Sequence, residues 1–288
     1  MASTARRLER AANAEAVVQD RLVLDFERGL ESVLHRTDRL IGALVRELAS
    51  DRGRLVRTQA ALGRAVRMRR DFAGALVNGG LSSLLDDAVT QQFDVLADTV
   101  LEHGSIAAAA ADLTPVDILA ITAMKELRLA DLLDWRDGVA QDVWRITVDG
   151  VLGLRPVDEL VADLGTVLDL SLPRARTLYD TAVSTFSRQV GLLQATGEPS
   201  ELFYYAGPVD RVTRPFCLKH VGRVYNREEI DALDNGQLPD VLVTGGGYNC
   251  RHVFKKVSIL DDELIELHRT GGRLPHIEAL LKGLKKAA

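Results

Sequence analysis

The spacing of apolar residues changes once along this 288-residue chain, and that change restricts the available folds more than any other feature. Over roughly the first two thirds, apolar residues recur at three- and four-residue steps. Leu30, Val33, Leu34, Leu40, Ile41, Leu44, Val45 and Leu48 share one stripe of a helix. The stripe is broad and falls short of four clean heptads, so a helical hairpin or bundle fits better than an extended coiled coil. Breaks are expected at Asp51-Arg52-Gly53 and at Asn78-Gly79-Gly80. A new helix should open at Thr114-Pro115-Val116-Asp117. There Thr114 can cap, Pro115 suits the first helical position and Asp117 complements the helix dipole. Gly153-Leu154-Arg155-Pro156 marks another break, followed by a helix from Val157 to Leu168. Ser171-Leu172-Pro173 then opens a last long helix through Val190.

After Gly197-Glu198-Pro199 the pattern differs. Short apolar stretches (Leu202 to Tyr205, Val241 to Thr244, His252 to Val257) are punctuated by Gly, Pro and Asn, which predicts short strands and loops. One or two short helices are expected in Asp261 to Leu267 and Pro275 to Lys286. The predicted fold class is therefore mainly α, with helical N-terminal and middle regions and a small α+β C-terminal module. A boundary near residue 196 would separate a helical region, 1–195, from that module, 196–288. Composition agrees, since hydrophobic residues make up 47% and aromatics only 5%, which favours packed helices over a large sheet. The net charge of −5 argues against a protein that coats nucleic acid. No apolar run approaches the 18 or so residues needed to cross a bilayer, and the N-terminus lacks the apolar core of a secretory signal. Folding in a reducing cytoplasm, without membrane association, is the expectation.

Both cysteines and two of the six histidines fall in the C-terminal module as Cys217-Leu218-Lys219-His220 and Cys250-Arg251-His252. A turn brings residues 217 and 220 together, and a strand places 250 and 252 on one face. Two such pairs can close a tetrahedral Cys2His2 site suited to zinc, and a small loop-rich domain gains stability from a metal. The same residues also fit buried thiols with hydrogen-bonded histidines, a Cys217–Cys250 disulfide, or a Cys-His nucleophile with Asp210 nearby. No oxyanion hole is marked, so an enzyme is not expected.

Several segments in fixed order carry a resemblance. They are Asp210-Arg211-Val212-Thr213-Arg214-Pro215-Phe216-Cys217, then Gly222-Arg223-Val224-Tyr225, then Gly246-Gly247-Tyr248-Asn249-Cys250-Arg251-His252. Upstream, Gly150 to Leu160 and Arg174-Ala175-Arg176-Thr177-Leu178-Tyr179-Asp180-Thr181-Ala182 add to it. Together they resemble the phage Mu protein F-like family of minor head, or head morphogenesis, proteins, over roughly residues 130 to 258. Two positions depart from the family pattern: Tyr248 stands where many members have His, and His252 where many have a second Cys.

The resemblance implies a virion protein, made in the host cytoplasm, that acts near the portal or the capsid interior in head assembly or genome packaging and ejection. Its partners would be the portal, the major capsid protein and other particle proteins. Alternatives are a tail or neck structural protein, a DNA-contacting packaging factor, and a phage-encoded Cys-His hydrolase or toxin. Little chain follows His252, so a further toxin domain is not expected.

Arg52, Arg54, Arg57, Arg64, Arg67, Arg69 and Arg70 form the one strong basic cluster. Arg64, Arg67 and Arg70 share a helix side and could contact packaged DNA without reading its sequence, although a solvated helix face is the simpler reading. Trp135 and Trp144 read as core residues. Gly245-Gly246-Gly247 lacks a following Lys-Ser/Thr and reads as the approach to Cys250 rather than a phosphate loop.

Overall fold

The structure, a computed structural model, describes residues 3–48, 50–104, 113–193, 195, 200–257 and 261–287. It is mainly helical with a small α+β module toward the C-terminus, as the apolar spacing predicts. The boundary expected near residue 196 lies outside the described residues. Among those residues no helix is long and apolar enough to cross a membrane.

The chain divides into two compact units, each assembled from separated stretches of sequence. One comprises Val23–Gln91 and Glu126–Tyr179, the other Met1–Leu22, Gln92–Lys125 and Asp180–Ala288. Helices α1 (Thr4–Arg46), α5 (Pro115–Leu152) and α6 (Val157–Gly191) contribute residues to both.

The first unit is a helical assembly. After α1 comes a two-residue hairpin, β1 (Ser50–Asp51) to β2 (Arg54–Leu55), with Arg52 and Gly53 both at positive φ. That is the primed turn whose twist matches paired strands, and it explains the break at Asp51-Arg52-Gly53. Helix α2 (Gln59–Asn78) begins at Thr58, whose hydroxyl accepts from Ala61 N, and ends at Gly79. Gly80, at φ 100°, turns the chain into α3 (Leu81–Asp86), which runs through a π-helical turn, Asp87–Gln92, toward α4 (Phe93–Gly104). Phe26 stacks on Tyr179 with ring centroids 4.0 Å apart, and Leu30, Val33, Ile41, Phe72, Leu132, Trp135 and Leu164 are buried in the same unit. Trp144 is half-buried.

One helical boundary differs from expectation. Helix α6 runs from Val157 to Gly191 without interruption and carries Pro173 in its interior, where two helices were predicted. Proline removes one backbone bond, but Leu160, Leu164, Leu168, Ser171, Ala175 and Tyr179 keep a regular three- and four-residue spacing of buried positions across it. Continuous packing outweighs the lost bond. The start of α5 follows prediction: Thr114 Oγ1 accepts from Asp117 N at 3.2 Å, and the Asp117 carboxylate accepts from Thr114 N at 2.8 Å.

The second unit contains a three-stranded antiparallel sheet in the order β4-β3-β5. Strand β3 (Leu202–Ala206) is central, with Phe203 opposite Tyr225 of β4 (Val224–Asn226) and Tyr205 opposite Phe254 of β5 (Val253–Lys256). Short helices α7 (Pro215–His220) and α8 (Arg227–Asp231) flank β4 in sequence. Val241–Thr244, expected as a strand, is instead a single helical turn, α9. Asp240 adopts a left-handed conformation and its carbonyl accepts from Thr244 N, closing the turn, while Val241 and Leu242 still bury their side chains. Short apolar runs leave this choice open at the sequence level. Helices α10 (Asp262–Thr270) and α11 (Pro275–Ala287) complete the unit, with Ala5, Leu8 and Ala12 of α1 packed in its core.

Candidate metal centre

Cys217 enters the site from α7, where Pro215 at the first helical position starts the turn that points the thiol inward. Cys250 enters from the tight turn after α9. Gly245, Gly247 and Asn249 all take positive φ there, which glycine tolerates freely and asparagine more readily than most residues. His252 lies just before β5. All three are buried.

The two sulfurs are 3.6 Å apart, and one ligand atom from each of Cys217, Cys250 and His252 lies within 4.8 Å of the others. The imidazole of His252 stacks on the Tyr205 ring, and its Nε2 is buried without a hydrogen-bond partner. The Tyr205 hydroxyl sits 3.4 Å from Cys217 Sγ and 3.7 Å from Cys250 Sγ. Gly246 N–H donates to Cys250 Sγ at 3.0 Å. A Cβ on Gly246 would overlap the Cys217 sulfur, so only glycine lets the backbone come this close.

His220, the fourth residue of the predicted set, is also buried but stands apart from this trio. Its Nδ1 is 2.7 Å from the Tyr225 hydroxyl, and its ring packs on Phe216. Burial lowers its pKa to about 4, helped by the cations of Lys219, Arg223 and Arg273.

Charge is distributed unequally over the pair of thiols. The hydrogen bond between them raises the pKa of Cys217 and lowers that of Cys250, so Cys217 keeps the proton and donates it. Burial opposes the Cys250 thiolate, while the Arg188 cation and His252 favour it. The Tyr205 hydroxyl, pushed well above its ordinary value by burial, stays protonated beside the sulfurs.

Two further groups lock the site. Arg188 of α6 is buried and donates from Nε to the His252 carbonyl at 2.7 Å, from Nη1 to Val243 O at 3.3 Å, and from Nη2 to the Cys250 carbonyl. Asp210 accepts from Arg251 at 2.6 Å and from Thr213 at 2.9 Å. Burial works against ionisation of Asp210, but these hydrogen bonds outweigh it and hold the carboxyl below its ordinary range.

Sequence reasoning missed Arg188, Tyr205 and the reason for Gly246. A trace of Arg188 was present, because it falls within one turn of the buried Ser184, Phe186 and Val190 rather than on a polar face. Gly246 was legible only as part of the approach to Cys250, since the Cys217 sulfur that requires glycine there lies far off in sequence, and nothing local marks Tyr205.

The donor set suits a metal ion. Two thiolates bound at about 2.3 Å in tetrahedral geometry lie about 3.8 Å apart, close to the separation seen here and far from the 2.05 Å of a disulfide. The orphaned ring nitrogen of His252 supplies a third donor. Comparison with protein-family models, curated proteins and solved structures gives no match to this chain.

Proposed function

We propose that this chain is a structural minor head protein of a tailed phage or phage-derived particle, bound near the portal or capsid interior, and not a catalyst. The reading is supported by how the residues that resemble the Mu F-like pattern are used. Asp210, Thr213 and Arg251 bond to one another, while Cys217, Cys250 and His252 converge on one buried centre. These contacts tie the loops around a small sheet together and line none of the described pockets except through Asp210, Thr213 and Arg251. A buried interlock of this kind fits a compact contact module better than a reaction centre open to substrate.

Within that reading, Cys217, Cys250 and His252 hold zinc, with the Tyr205 hydroxyl beside both sulfurs. Zinc there supplies a cross-link between α7 and the segment leading into β5. Gly246 makes room for the sulfurs, and Arg188 fixes the carbonyls of Cys250 and His252.

The function is tested by quantitative mass spectrometry of DNase-treated particles separated into heads and tails. Recovery with heads at a fixed ratio to the portal is expected. Recovery with tails alone would overturn the head assignment, and absence from particles would overturn the structural reading.

A second reading, contact with packaged DNA, is favoured by one observation. Arg64, Arg67 and Arg70 are all exposed on α2; Arg64 also donates to the Glu47 carbonyl, and among the described residues Arg70 pairs only weakly, with Asp71 at 3.8 Å. Replacing the three with Gln should reduce the salt dependence of duplex binding by a log–log slope of about 2 to 3. An unchanged slope would remove DNA from the list of partners.

A further inference from the structure

In the second unit a pocket of about 870 Å³, lined by neither thiol, opens between α7, the start of β4 and α11. Its charge is lopsided. Arg211, Lys219, Arg223, Arg273 and Lys282 line it against two carboxylates, Asp210 and Glu278. Asp210 is already engaged by Arg251 and Thr213, and Glu278 is exposed.

The two central arginines are half-buried and held in place by backbone carbonyls. Arg223 Nη1 donates to Gly271 O at 2.9 Å, and Arg273 Nη2 donates to the carbonyls of Leu218 and Lys219. Gly222, at φ 80°, permits this packing, because a Cβ there would come within 3.0 Å of Arg273 Cγ. Among the described residues neither guanidinium reaches a carboxylate, and the Nε of each is buried without a partner. Burial and the neighbouring Arg223 cation hold Arg273 below the ordinary arginine range, with Tyr225, Glu278 and Tyr204 offsetting only part of this. Two like charges brought to one pocket form a poor resting arrangement and a ready receptor for an anion. Beside them the wall is apolar, built from Leu218, Leu281 and Leu284.

We propose that this pocket binds an organic anion, a carboxylate or phosphate head carried on an apolar body, with Arg223 and Arg273 on the head and the leucines on the body. The inference stands apart from the particle reading and from the metal centre.

Isothermal titration of the full chain tests it with four probes: octanoate, octyl phosphate, inorganic phosphate and octanol. Saturable one-to-one binding of octanoate or octyl phosphate is expected, at least tenfold tighter than either inorganic phosphate or octanol. The tighter of the two amphiphiles identifies the head group. Arg273→Gln should weaken binding at least tenfold. That arginine also bonds carbonyls of α7, so the exposed pair Lys219→Glu with Lys282→Glu provides a second test that leaves those bonds intact, with at least threefold weakening expected. No saturable binding, octanol binding as tightly as octanoate, or unchanged affinity in the lysine pair or in folded Arg273→Gln would overturn the proposal.

Discussion

The two compact units are held together by different kinds of contact. In Val23–Gln91 with Glu126–Tyr179, buried positions are overwhelmingly apolar: Phe26 on Tyr179, Leu30, Phe72, Leu132 and Leu164 fill the space between helices. In the unit that carries the sheet, charged and polar groups share the interior. Glu15 pairs with Lys255 there, Arg188 serves three carbonyls, and Cys217, Cys250 and His252 meet beside Tyr205 of β3. A core of short strands cannot enclose much apolar area, so hydrogen bonds and charge fix its loops. Damage should therefore act differently: graded loss of packing in the helical unit, loss of geometry in the other.

The most severe single change in the polar interior should be Arg188→Met. It leaves the carbonyls of Cys250, His252 and Val243 without their donor and should cost about 4 kcal/mol. Hydrogen exchange should rise most in residues 202–257. A uniform rise along the chain would break the contrast between units. Next, Leu164→Ala should cost about 3 kcal/mol by leaving a cavity in a helical core, measured by denaturant unfolding. No change in metal content should accompany it.

Gly246→Ala should cost about 2 kcal/mol, because its methyl group meets both sulfurs, and it should also eject the metal. Retention of full metal content in that variant would refute the assigned role of Gly246. The smallest effect is a pH dependence. His220 ordinarily titrates near 6.5 but near 4 in the fold, so the folded state favours its neutral form. Its contribution is complete above pH 6.5 and is lost as pH falls from about 6.5 to about 4. His220→Asn should flatten that part of the stability profile, and an unchanged profile would assign the dependence elsewhere.

Legibility in the sequence follows the same division. The three- and four-residue apolar spacing made the helices readable, and Gly, Pro and Thr-x-x-Asp signals located most of their ends. The uninterrupted α6 escaped because Pro173 is a strong local breaker, whereas the packing that overrides it is tertiary. In the sheet unit, Cys217, Cys250 and His252 were readable as ligand types at short spacing. His220 sits one helical turn from Cys217, yet its ring turns to Tyr225. Arg188 and Tyr205 could not be read as neighbours of the thiols, since only the fold brings α6 and β3 to that point.

The metal centre of Cys217, Cys250 and His252 is tested most directly by the metal content of the chain, purified under reducing conditions without added metal and compared with Cys217→Ser and Cys250→Ser. About one zinc per chain in the unaltered protein, and none in either variant, is the predicted result. A fully folded, metal-free chain would contradict the account and leave the two thiols, Tyr205 and His252 as a purely hydrogen-bonded interior.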